Sequence, residues 1–76
     1  MALERLKWKS RRGLLELDIV LGRFWAQAGD EVAESDAAVL ERLLALPDND
    51  LLDLVMGRAD TSETRLRPML QRLRTV

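Results

Sequence analysis

The residues Leu14, Leu17, Leu21, Phe24, Trp25 and Ala28 constrain this chain more than any others. They recur at the i, i+3, i+4, i+7 spacing that puts side chains on one stripe of a helix. The stripe predicts a helix over residues 14–28, ended by Gly29, a residue suited to the left-handed conformation after a last turn. Such a helix must bury its stripe against another element. No stretch alternates apolar and polar residues with period two, and β-branched residues are few, so that element is not a sheet. Four further helices are expected. One covers residues 2–11, with Leu3 and Leu6 on a narrow apolar side. Another covers 36–45, capped by Ser35 and burying Val39, Leu40, Leu43 and Leu44. The next covers 49–57, capped by Asp48 and carrying Leu51, Leu52, Leu54, Val55 and Met56. The last covers 62–74, with Met69, Leu70 and Leu73 inward. Asp60 and Glu63 have the spacing of a capping box there, but Pro68 argues for a start near Thr64 or for a kink. Short turns then imply an all-α, compact five-helix bundle, one domain over residues 1–76.

A chain of 76 residues buries only about 60% of its unfolded surface, which leaves little room for a deep catalytic cleft. The absence of cysteine rules out disulfides and thiolate sites. The absence of histidine removes the commonest general base and metal ligand. No apolar run reaches the roughly 20 residues that span a bilayer, and the charged N-terminus lacks a signal-peptide apolar region. The expected setting is the cytoplasm of a bacterium, without membrane insertion.

The net charge of -1 conceals segregation. Residues 1–12 carry Arg5, Lys7, Lys9, Arg11 and Arg12 against Glu4, a local +4. Residues 30–60 carry nine acids against Arg42 and Arg58, a local -7, and residues 65–76 carry Arg65, Arg67, Arg72 and Arg74, again +4. Either basic and acidic helices pack side by side, or one end of the molecule meets an anionic partner. A slightly acidic chain whose helices offer no row of Arg, Asn or Gln after a recognition turn fits nucleic acid poorly, which leaves a small helical nucleic-acid-binding protein as the lesser alternative.

The run Arg11-Arg12-Gly13-Leu14-Leu15-Glu16-Leu17-Asp18 has two readings. In the structural one, Gly13 opens the second helix, Glu16 reaches back to an unpaired amide, and Asp18 pairs with an arginine of the first helix. Glu16 and Asp18 point about 200° apart on a helix, so they cannot work as an acid/base pair. No glycine-rich phosphate loop is present, and the chain is not expected to be an enzyme. In the binding reading, Trp8 matters: on the helical wheel it lies away from Leu3 and Leu6, grouped with Arg5 and Arg12. Tryptophan and arginine are enriched at binding hot spots. Trp25, on the main stripe beside Phe24, is expected in the core.

The segment WKSRRGLLELD, Trp8 to Asp18, resembles the signature of the succinate dehydrogenase FAD assembly factors, small proteins marked by an Arg-Gly-x-x-Glu motif. Arg12, Gly13 and Glu16 match the motif, and Asp18 matches the acid that usually follows. LERLLALPDNDLLDLVMGR, Leu40 to Arg58, is similar to that family's third and fourth helices. The resemblance implies a helical bundle that binds the flavoprotein subunit of succinate dehydrogenase, and that of the related fumarate reductase. It implies promotion of covalent FAD attachment to a histidine of that subunit. This chain then needs no tightly bound cofactor of its own, because FAD ends on the partner, and it is expected to act as a monomer. The family has also carried an antitoxin label, which gives an alternative reading as a toxin-neutralising protein-binding module.

The expected contact surface is Trp8, Arg11, Arg12, Gly13, Glu16 and Asp18. Gly13 would let a partner's backbone approach closely. Arg12 and Glu16, off the apolar stripe, would face outward, with the planar fork of Arg12 on a carboxylate or on carbonyl oxygens.

Overall fold

A computed structural model describes residues 2–29 and 31–76. It contains five α-helices, α1 (Ala2–Lys9), α2 (Leu15–Ala28), α3 (Glu34–Leu44), α4 (Asp48–Val55) and α5 (Arg67–Thr75), with a 3-10 turn at Thr64–Leu66 leading into α5. No strand forms among the described residues.

The stripe of α2 becomes the centre of the core. Leu17, Leu21 and Phe24 are almost fully buried, and Ala28 is buried at the end of the helix. They meet Leu6 of α1, Leu40, Leu43 and Leu44 of α3, Leu51, Leu54 and Val55 of α4, and Leu66, Met69, Leu70 and Leu73 around α5. Each fully buried leucine or phenylalanine contributes about 1.5–3 kcal/mol relative to exposure. Val39 and Leu52 are only partly buried, and Met56 lies beyond the end of α4 with an exposed side chain. Trp25, expected in the core, packs at its edge. Its ring meets Phe24 edge-on, at 5.2 Å between centroids. Its indole Nε1 donates to Ser10 Oγ (2.9 Å), and the Ser10 hydroxyl donates to the Leu6 carbonyl (2.8 Å). A half-buried indole keeps a polar tip that needs an acceptor, and the buried Ser10 supplies it.

Several helix ends differ from the sequence reading, for one physical reason. The N-cap positions of α2, α3 and α4 are Leu14, Ala33 and Pro47, none of which makes a side-chain cap bond. The orphan amides are instead offset by acids in the first turns: Glu16 and Asp18, Glu34 and Asp36, Asp48 and Asp50. Ser35 and Asp48, read as caps, therefore lie inside their helices. The Asp60–Glu63 capping box does not form: Asp60 accepts the Thr61 amide, and Glu63 turns to Arg42 (2.7 Å). Pro68 sits in the first turn of α5 after the 3-10 turn from Thr64, where its missing N–H costs nothing.

The charge segregation is partly consumed inside the molecule. Lys9 of α1 meets Glu41 of α3 (3.5 Å), and Arg72 of α5 meets Asp36 of α3 (4.0 Å). Arg74 donates twice to the Leu54 carbonyl (2.7 and 3.1 Å), closing the end of α4.

Candidate partner-binding surface

Helix α1 ends at Lys9, two residues before its predicted limit, and residues 10–14 form a loop into α2. Gly13 makes this loop possible, because its φ of +79° is a backbone state that side-chained residues rarely adopt. A Cβ built there would meet nothing within 4 Å, so the backbone lies open to approach from outside. The loop is also closed by Asp18, whose Oδ1 accepts the Arg12 backbone N–H at 2.9 Å. That corrects the structural reading on two counts. Asp18 binds an amide of the loop and not an arginine side chain, and the residue reaching back is Asp18, not Glu16. Glu16 is exposed and makes no hydrogen bond or ion pair among the described residues.

Arg12 departs furthest from expectation. Its side chain turns inward, with only 14% of its surface accessible. Nε donates to Asp48 Oδ1 (2.8 Å), Nη1 to the carbonyls of Leu44 (2.8 Å) and Lys9 (3.3 Å), and Nη2 to the Leu46 carbonyl (2.5 Å). The planar fork does engage a carboxylate and carbonyls, but they belong to its own chain. The cause lies at the junction of α3 and α4. The last carbonyls of α3 lack intrahelical partners and carry the negative end of its dipole, while Asp48 adds a full charge. A guanidinium with five donors satisfies this cluster as no other side chain can. The helical wheel grouped Arg12 with Trp8 because it extended α1 past Lys9. Once the helix stops, that phase no longer applies.

Trp8 is the largest exposed apolar side chain among the described residues, at 71% exposure. Arg11 stacks on it, its guanidinium carbon 5.5 Å from the ring centroid. Arg11, in place of Arg12, is thus the cation that shares a face with Trp8. Between this pair and α2 lies a groove of about 550 Å³ lined by Lys7, Ser10, Arg11, Gly13, Asp18, Gly22 and Trp25. Lys7 Nζ stands 5.5 Å from the Trp25 centroid at its edge. Of the six expected residues, Arg11, Gly13 and Asp18 line the groove, Trp8 flanks Arg11, Glu16 stands exposed in the first turn of α2, and Arg12 braces the loop from behind. Lys7, Ser10, Gly22 and Trp25 were missed. Asp18, Gly22 and Trp25 share one face at i, i+4 and i+7, so the wheel of α2 held the signal.

A smaller depression of about 320 Å³ lies between α3, α4 and residues 59–63. Three of its four acids, Asp53, Asp60 and Glu63, pair with Arg58, Arg67 and Arg42, and Asp50 is the fourth. Among the described residues no group of His, Cys, Asp or Glu is placed to hold a metal ion, and no helix is long and apolar enough to cross a membrane.

A braced loop on a small helical bundle thus presents aromatic, cationic and acidic groups around an open glycine. The family model described as the flavinator of succinate dehydrogenase (Sdh5) matches residues 4–76. The chain belongs to that family. The FAD assembly factor SdhE of Ralstonia nicotianae is 46% identical over 56 residues, 74% of this chain. The match spans 59% of that relative, less than two thirds of its length. The FAD assembly factor SdhE of Idiomarina loihiensis is 40% identical over 67 residues, 88% of this chain and 74% of that protein. That of Coxiella burnetii is 29% identical over 73 residues, 96% of this chain and 89% of that protein. No solved structure matches the chain.

Proposed function

We propose that this chain binds the flavoprotein subunit of succinate dehydrogenase and promotes covalent attachment of FAD to it. The flavoprotein of fumarate reductase is a second client. One copy acts on one client in the cytoplasm, and FAD ends on the client, so the factor needs no bound cofactor of its own. The observation that carries this reading is the surface itself: exposed Trp8 stacked by Arg11, beside the open backbone of Gly13 and the unpartnered carboxylate of Glu16, in a chain of the flavinator family.

Trp8 and Arg11 offer a flat, exposed platform of the residue types enriched at interface hot spots. Gly13 admits a client main chain to close range, and Glu16 accepts a client donor without giving up any internal bond. The factor favours flavin attachment by binding the attachment-competent client conformation more tightly than the others. Arg12 contributes from behind, by fixing the loop that spaces Trp8 from Glu16.

The test compares flavin fluorescence of the denatured flavoprotein subunit from cells with the chain, without it, and with Glu16→Ala. Attachment should fall sharply in both altered strains, while the circular dichroism and melting of Glu16→Ala stay near the unaltered protein. Undiminished attachment with Glu16→Ala would remove Glu16 from the surface. Undiminished attachment without the chain would remove the function.

A further inference from the structure

A narrow strip of α2 that faces away from the core carries no charge. At 100° per residue, Leu15, Ile19, Gly22 and Ala26 fall within an arc of about 60°, opposite Leu17, Leu21, Phe24 and Ala28. All four are exposed, Leu15 at 71% and Ile19 at 44%. A Cβ on Gly22 would meet nothing within 4 Å, so no packing inside the chain accounts for a glycine in mid-helix. An exposed apolar stripe with a gap in it is the form of a surface that another helix fits.

The order of residues identifies that helix. The spacing 15, 19, 22, 26 is a d-a-d-a heptad seam, whose antiparallel pairing sets a against d. Set against itself antiparallel, with the two-fold axis between residues 20 and 21, the stripe places Ile19 over Gly22 and Leu15 over Ala26 of the second copy. Each large residue meets a small one. On one flank, Glu16 and Arg23 both take the e position and oppose each other across the axis, giving two symmetric Glu–Arg pairs. Arg23 is exposed and, like Glu16, has no hydrogen bond or ion pair among the described residues. A seam that complements itself in size and in charge is what an isologous contact requires.

We propose that α2 pairs antiparallel with α2 of a second copy of this chain. This goes beyond the client reading and stands without it. The seam extends about 17 Å along the helix axis, eleven rises of 1.5 Å, which places the contact among weak, transient interfaces. Glu16 lies in both surfaces, so a copy engaged with itself cannot offer that carboxylate to a client.

Sedimentation velocity of the full chain between about 10 µM and about 1 mM reads the association. The average mass should rise from monomer toward dimer across this range. Glu16→Arg and Arg23→Glu should each weaken dimerisation about tenfold, because each turns two attractions into two repulsions. The double variant Glu16→Arg/Arg23→Glu should return to within about threefold of the unaltered chain. A monomer at every concentration, or a double variant as weak as the singles, overturns the proposal. The register has its own test, since the chain has no cysteine. Ile19→Cys and Gly22→Cys chains, mixed in equal amounts in a thiol–disulfide buffer, should form the mixed disulfide well beyond about twice the yield of either symmetric one, the ratio that chance pairing gives. A statistical distribution of the three overturns the antiparallel seam.

Discussion

Replacing Arg12 by alanine should unfold this protein at a much lower temperature, although the residue belongs to a motif that reads as a contact site. The loss can be worked from its bonds. The guanidinium donates to the carbonyls of Leu44 and Leu46 at the junction of α3 and α4, and its side chain is 14% exposed. Hydrogen bonds from charged groups contribute about 1.5–3 kcal/mol when buried, and about 1 kcal/mol each is reasonable where water reaches part of the site. The pair with Asp48, whose side chain is 45% exposed, adds about 0.5 kcal/mol. The total is about 2–3 kcal/mol, against about 4–11 kcal/mol for a whole domain of this size. At about 4–8 °C per kcal/mol, the melting temperature should fall by about 10–20 °C. Thermal melts followed by far-ultraviolet circular dichroism measure it. Arg12→Lys should recover at most about half, because an ammonium is a point donor and cannot span a carboxylate and two carbonyls. Arg11→Ala, which loses only stacking on an exposed ring, should change stability by less than about 0.5 kcal/mol. An Arg12→Ala melt within about 4 °C of the unaltered protein, or full recovery by lysine, would refute the bracing role.

Ser10→Ala leaves the Trp25 indole N–H without its acceptor in a half-buried position. It should cost about 1–2 kcal/mol, seen in chemical denaturation, and shift the tryptophan emission as water enters to replace the hydroxyl. Gly13→Ala adds a methyl group to open space, so its cost is backbone strain alone, about 1 kcal/mol. Gly13→Asn should cost less, because asparagine tolerates the left-handed region, and urea midpoints at constant m-value separate the two.

The helical fold was legible because the 3.6-residue period of Leu17, Leu21, Phe24 and Ala28 has only one geometric meaning, and leucines at that spacing recur in α3 to α5. Helix ends were less legible. Ser35 and Asp48 are good caps by type, but a cap competes with its neighbours. Here Ala33 and Pro47 hold the cap positions, and first-turn acids do the electrostatic work. Within the site, a turn at Gly13 followed from local sequence, whereas the stop of α1 at Lys9 did not. Nor did the direction of Arg12. Its acceptors are backbone carbonyls of Leu44 and Leu46, which every residue possesses and no sequence pattern displays. The same limit hid Ser10, whose role depends on the indole of Trp25 arriving beside it from α2.

The brace on Arg12 also sets when the surface can exist. The motif occupies a few adjacent residues, but its loop is held by Leu44, Leu46 and Asp48, which lie 32, 34 and 36 positions further along the chain. Its shape is therefore a product of long-range closure, the slow kind of contact in folding. At about 5–20 residues per second of synthesis, the motif waits about 2–7 s after it is made for the carbonyls that hold it. During that interval a nascent chain displays the residues without the geometry, and a chain stopped short of Leu44 never acquires it.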